Sequence, residues 1–200
     1  MKSLLYAIIL ISTFGCAQEK KVPKGETEWQ REMNTNFKDA SKSPLKSKDL
    51  KTFEGLDFFK FDSTYVITTK LERTPDSKPF KMKTTTDRLA NYRQFGVITF
   101  KLEGKEHKLS IYQNLDLLDD PEYVDYLFLP FLDNTNGTLS YSGGRYVQGS
   151  IPDGDTLTID FNKTYNPYCA YNEKYSCPIV PRSNYIDAEV RAGVKAFKKH

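Results

Sequence analysis

Histidine is almost missing from this chain: two in 200 residues, one of them the last, His200. The other, His107, sits between Glu106 and Lys108 in a stretch of strand character and reads as solvent-facing. A zinc hydrolase site and a Ser-His-Asp triad both need placed imidazoles, so neither fits this chain. Cysteine is nearly as scarce, at three. Two thiols without histidine leave a metal short of ligands, and no metal or cofactor is expected. No glycine-rich phosphate loop occurs, because the glycines of YSGGRY lie between strands and open no helix. DNTNGT carries its lone Asp in the wrong place for a calcium loop and reads as a turn. Nor is there an excess of one charge in the body of the chain. From Phe53 onward 19 basic residues face 20 acidic ones, so no basic stripe points to nucleic acid.

The beginning is richer. Lys2 is followed by an uncharged, mostly apolar run from Ser3 to Phe14, then Gly15 and Cys16. That is the anatomy of a secretory signal, shorter than the roughly 18 residues that suggest a membrane span. Thr13-Phe14-Gly15-Cys16 resembles a bacterial lipobox with Cys16 as the lipid acceptor. The expectation is a signal peptide over 1–15, a lipidated tether over 16–25 and a single globular domain over 26–200. The chain would be exported and held at the cell envelope by the lipid on Cys16, anchored rather than spanning. Which membrane and which face it reaches, and its oligomeric state, stay open. No later stretch is apolar enough to cross a bilayer.

Trp29, Met33 and Phe37 recur every fourth residue, which predicts an amphipathic helix over 26–41. Pro44 then breaks the chain into a loop. From Phe53 the period changes. Segments such as FEGLDFFKFD, TYVITTKLER, QFGVITFKLEG, DYLFLPFLD and DTLTIDF are rich in aromatic and β-branched residues, with turn signals between them. The closing YIDAEVRAG places Ile186, Ala188 and Val190 on one side. Short strands and tight turns predict a mainly β fold, an antiparallel sandwich or partly open barrel over 53–200, behind the short helix.

Chemistry is concentrated in DFNKTYNPYCAYNEKYSCP. Cys169 and Cys177, with seven residues between them in an exported chain, read first as a disulfide. Two buried inert thiols or a reactive thiol are the alternatives. Asp160 and Asn162 share one face of a strand while Phe161 points to the core. Arg145 and Tyr146 open another strand. If the two strands pair, Arg145 meets the Asp160/Asn162 face beside Tyr165, Asn166 and Tyr171, joining bidentate donors, acceptors and amphipathic rings. The same contacts would serve a purely structural network, with Arg145 neutralising a buried Asp.

At these residues the chain resembles the domain of unknown function numbered 1684. The resemblance runs from about Trp29 to Lys195 and rests on FLPFLDNTNGTLSYSGGRY, on IDFNKTYNPYCAYNEKYSCPIVPRSN and on the closing VRAGVK. The family's motif positions fall here on Asp133, Gly137, Arg145, Tyr146, Asp160, Asn162, Tyr165, Asn166, Cys169, Cys177 and Asn184. Val194 stands where the family tends to carry an acid. The family implies no activity. Members without an export signal carry the same cysteines, so the resemblance leaves open whether these two are bridged. Two functions are compatible with the sequence. One is a binding module holding a small molecule, glycan or peptide in a pocket of Arg145, Tyr146, Asp160, Asn162, Tyr165, Asn166, Tyr171 and Asn184. The other is a hydrolase or lyase with Asp160 as base, Arg145 as anion stabiliser and Asp133 assisting. A structural envelope protein without a ligand is the third possibility.

Overall fold

A computed structural model describes residues 24–197. The expected leader, the Cys16 acceptor, most of the tether and His200 lie outside these residues. Helix α1 runs Glu28–Lys38 and opens on a capping box: Thr27 accepts from the Gln30 amide, and the Gln30 side chain reaches back to the Thr27 amide. It is shorter than the sequence period suggests because Asp39 turns to extended backbone and accepts from Ser41. Phe37 is buried, and Trp29 and Met33 pack beside it. A short helix, α2, occupies Ser47–Lys51 in what read as loop.

Eight strands follow: β1 (Val66–Arg73), β2 (Phe80–Lys83), β3 (Leu89–Leu102), β4 (Lys105–Asn114), β5 (Tyr126–Asp133), β6 (Arg145–Ser150), β7 (Thr156–Asp160) and β8 (Tyr185–Ile186). The sheet runs β6-β5-β4-β3-β1-β7, with β2 added to β3 and β8 to β5. Every pair is antiparallel except β5–β8. The sheet curls into a nearly closed barrel in which β7 returns to β6 without a shared ladder. A bulge at Phe95 shifts the β3–β4 register between Gln94 and Gly96 and helps β3 bend. Glu103 and Gly104, both with positive φ, make the two-residue turn into β4.

Alternation sets what each strand buries. Ile98 and Phe100 of β3, Leu109 and Ile111 of β4, Leu127, Leu129 and Phe131 of β5, and Val147 of β6 fill the barrel with Phe161 and the closing residues Ile186, Ala188, Val190 and Ala192. On β5 the other face is apolar too: Tyr126, Phe128 and Leu132 belong to a second, outer cluster with Tyr92, Tyr112 and Tyr146. A strand apolar on both faces is one covered on both faces, and here the cover is the segment after Tyr165.

Three expectations change. His107 is 6% exposed and points inward beside Phe100, because its exposed neighbours Glu106 and Lys108 take the outer positions. Its Nε2 has no hydrogen-bond partner. FEGLDFFKFD forms no strand. It runs extended against the chain's end, with the Phe59 amide donating to the Gly193 carbonyl at 2.9 Å and the Lys195 amide to the Asp57 carbonyl at 2.8 Å. YIDAEVRAG keeps Ile186, Ala188 and Val190 inward but pairs as a strand over only two residues.

Candidate functional site

Arg145 begins β6 and points into the barrel, where it is 0% exposed. Its Nη2 meets Asp133 Oδ2 at 2.6 Å and donates to the Val190 carbonyl at 2.7 Å, while Nη1 donates to the Ala192 carbonyl at 2.6 Å. The rings of Phe131 and Phe59 lie 5.4 and 5.7 Å from the guanidinium carbon. Asp133 also accepts from the Val190 amide and from the Thr135 amide and hydroxyl. Burial pulls the proton affinity of Arg145 down, and the adjacent carboxylate opposes that shift. This pair ties the chain's end into the barrel. It is closed to any ligand, and β6 pairs with β5 rather than β7, so Arg145 does not join Asp160.

The asparagines singled out in the sequence serve backbone. Asn162 accepts from the Asp62 amide at 3.0 Å and donates to the Asp62 carbonyl at 2.8 Å. Asn184 does the same for Ser110, at 2.9 and 2.7 Å, and adds a bond to the Pro130 carbonyl. Pro130 cannot donate to a ladder, and the Asn184 amide occupies the β4–β5 seam beside it. Asn166 donates to the Lys195 carbonyl, and Tyr171 is sealed against Phe37 and Phe197. Asp160 ends β7 as the cap of a short turn, accepting from the Asn162 amide. It borders an open hollow shared with Trp29 and Lys163. The pocket of Arg, Asn and Asp side chains therefore does not form. Among the described residues no three His, Cys, Asp or Glu side chains gather as a metal site would need.

What does form is a cleft of about 320 Å³ on the outer face of β3–β6. One wall is built by alternation: Tyr92 from β3, Asn114 from β4, Tyr126 and Phe128 from β5, Tyr146 and Gln148 from β6. The facing wall is Tyr165, Tyr168, Tyr175 and Pro178, with Cys177 among them and Tyr123 at the lip. Backbone exchange between Tyr146 and Tyr165, two bonds of 3.0 Å, fixes the two walls together. The rings lock edge to face: Tyr146 on Phe128 at 4.7 Å, Tyr146 on Tyr165 at 5.8 Å, Tyr168 on Tyr175 at 5.3 Å. The Tyr146 hydroxyl donates to the Pro178 carbonyl, and Gln148 donates to the Tyr165 hydroxyl at 2.8 Å. Burial pushes the phenols of Tyr92, Tyr126, Tyr146 and Tyr165 well above their ordinary value, so they stay neutral donors. No charged side chain lines the cleft.

Of the residues expected at a site, Tyr146, Tyr165 and Cys177 line this cleft. Tyr92, Tyr126, Phe128 and Gln148 escaped sequence reasoning. A signal existed: the outward positions of β3–β6 carry aromatics, whereas those of β1 and β7 carry the exposed Thr68 and Thr158.

Cys169 and Cys177 stand as free thiols rather than the expected bridge. The Cys169 amide donates to Cys177 Sγ at 3.2 Å, and the Cys177 thiol donates to the Cys169 sulfur. With the Tyr141 hydroxyl 4.0 Å from the sulfur, and burial opposing, Cys169 is pulled down to about 6. Cys177 is pushed up, because its proton is held between the two sulfurs and because it is buried.

Residues 51–195 match the family described as "Protein of unknown function (DUF1684)". The match opens at Lys51, so α1 precedes it, whereas the sequence resemblance was drawn from Trp29. The solution NMR structure of an uncharacterized protein of Haloarcula marismortui is similar over 86% of this chain and 92% of its own, with 30% identity and a TM-score of 0.67. No curated protein matches the chain.

Proposed function

The chain belongs to the DUF1684 family, and from that premise and the geometry above we propose that it is a binding module whose tyrosine cleft holds a neutral, ring-bearing small molecule. The observation that carries this reading is a concave aromatic surface with several polar tips and no charge. Rings presented edge and face give large contact at small entropic cost, and Gln148, Asn114 and the phenols supply orientation. A sugar or an aromatic ring meets both the apolar walls and the amide tips. The Lys2–Cys16 leader supports placing this module on an exported, lipid-anchored chain at the cell envelope.

The test is an NMR titration of the protein with neutral monosaccharides and with phenol and indole. At least one probe is expected to shift resonances of Tyr126, Gln148 and Tyr175. Tyr175→Ala is expected to weaken that probe about tenfold, the equivalent of about 1.4 kcal/mol. Tyr175 sits at the half-buried outer wall, so its loss leaves the barrel standing. No shift with any probe, or shifts confined to residues outside the cleft, would sink the reading.

A further inference from the structure

We propose that Cys169 and Cys177 form a peroxide-reactive dithiol, Cys169 attacking and Cys177 resolving. The proposal is independent of what fills the cleft. It rests on placement. Cys169 is half-buried, so a molecule as small as hydrogen peroxide reaches it, while Cys177 is buried and borders the cleft. The two cysteines are in direct contact: the Cys169 amide donates to Cys177 Sγ at 3.2 Å. Hydroxyls of Thr85 and Tyr141 complete the surroundings of Cys169, the latter 4.0 Å from the sulfur. No cation is needed: hydrogen bonding from Cys177 and from the Tyr141 hydroxyl favours the Cys169 thiolate, which is the nucleophile.

In the first step the Cys169 thiolate attacks one oxygen of the peroxide. An S–O bond forms, the O–O bond breaks, and the departing hydroxide takes a proton to leave as water. Cys169 becomes a sulfenic acid. Its negative charge is then gone, and with it the interaction that kept Cys177 protonated. In the second step Cys177 gives up its proton and its sulfur attacks the sulfenic sulfur. The S–S bond forms, the S–O bond breaks, and the hydroxyl leaves with that proton as water. Two electrons pass from the two sulfurs to one hydrogen peroxide, giving one disulfide and two waters. The hydrogen-bonded arrangement thus explains both why Cys169 reacts first and why Cys177 waits.

The experiment exposes the full-length protein to hydrogen peroxide, blocks remaining thiols by alkylation, and maps the peptides by mass so that Cys16 is read separately. Cys169 and Cys177 are expected to disappear together into one bridged peptide, at least tenfold faster than free cysteine at pH 7. The rate should rise with pH through about 6 and level off near pH 7, since the thiolate is then fully formed. In Cys177→Ser, Cys169 should stop at the sulfenic acid and be captured by dimedone. In Cys169→Ser, oxidation of Cys177 should slow at least tenfold. The proposal is overturned if both thiols survive peroxide that consumes free cysteine. It is equally overturned if Cys177 oxidises at the wild-type rate in Cys169→Ser.

Discussion

Arg145 sits where three parts of the chain meet, and its surroundings decide what its removal does. Its charge is balanced by Asp133 and its remaining donors by carbonyls of the closing segment, apart from Nε, which has no partner. Truncating one member leaves the other as an uncompensated buried charge. Arg145→Met is therefore expected to cost about 3–5 kcal/mol, read as a lowered urea midpoint, while the cleft residues stay chemically intact. Unchanged stability together with lost ligand binding would instead return Arg145 to a ligand site. The asparagines follow the same logic. An Asn amide carries one donor side and one acceptor side, as a peptide does, and Asn34, Asn162 and Asn184 each bond backbone far away in sequence in that peptide-like way. A residue type suited to holding a ligand is equally suited to holding a distant strand. The sequence names the residue and not the partner, which is why these positions read as a pocket.

At the scale of elements, the closing segment is the least regular and the most connected. It has almost no ladder of its own, yet its backbone reaches Asp57, Phe59, Thr164 and Leu139. Gly193 shows how tightly it lies. Its φ is +74°, and a Cβ there would come within 2.4 Å of the Thr164 carbonyl oxygen. Gly193→Ala is expected to destabilise by more than about 1 kcal/mol, since both backbone conformation and space oppose it. Thermal unfolding of the variant checks this, and a melting temperature equal to wild type would contradict the packing described. Strands β1–β7 were legible because alternation, turn residues and β-branched composition agree there. FEGLDFFKFD was not, because aromatic content alone does not distinguish a strand from an extended cover. β8 was misjudged in length because its alternation reports burial, and burial here comes without pairing.

For the molecule as a whole, the order of the sheet predicts where it is firm. The β3–β4 hairpin has the longest ladder, from Tyr92–Asn114 to Leu102–Lys105, and it stands in the middle of the sheet. The β6–β7 seam has no ladder. Hydrogen exchange should accordingly be slowest for the inward-buried amides of β3 and β4 and faster for β7, whose only strand partner is β1. Uniform protection across all strands would mean the seam is stronger than its hydrogen bonds. The fold class was readable at this scale, whereas the cleft was not. The cleft needs the outer faces of four strands and the loop after Tyr165 at once, and only the three-dimensional path brings them together.

The dependence of the barrel on residues 184–197 has a consequence for how the protein comes into being. Asp133 and Arg145 are synthesised long before Val190 and Ala192, and the β4–β5 seam long before Asn184. A growing chain that has not yet presented residues 184–197 therefore carries a buried-charge site without its lid and a seam without its amide. Its native contacts close only once residues 184–197 have emerged. Before Tyr165–Pro178 emerges, the aromatic faces of β3–β6 are uncovered too, and a chaperone would find them as a recognisable hydrophobic surface.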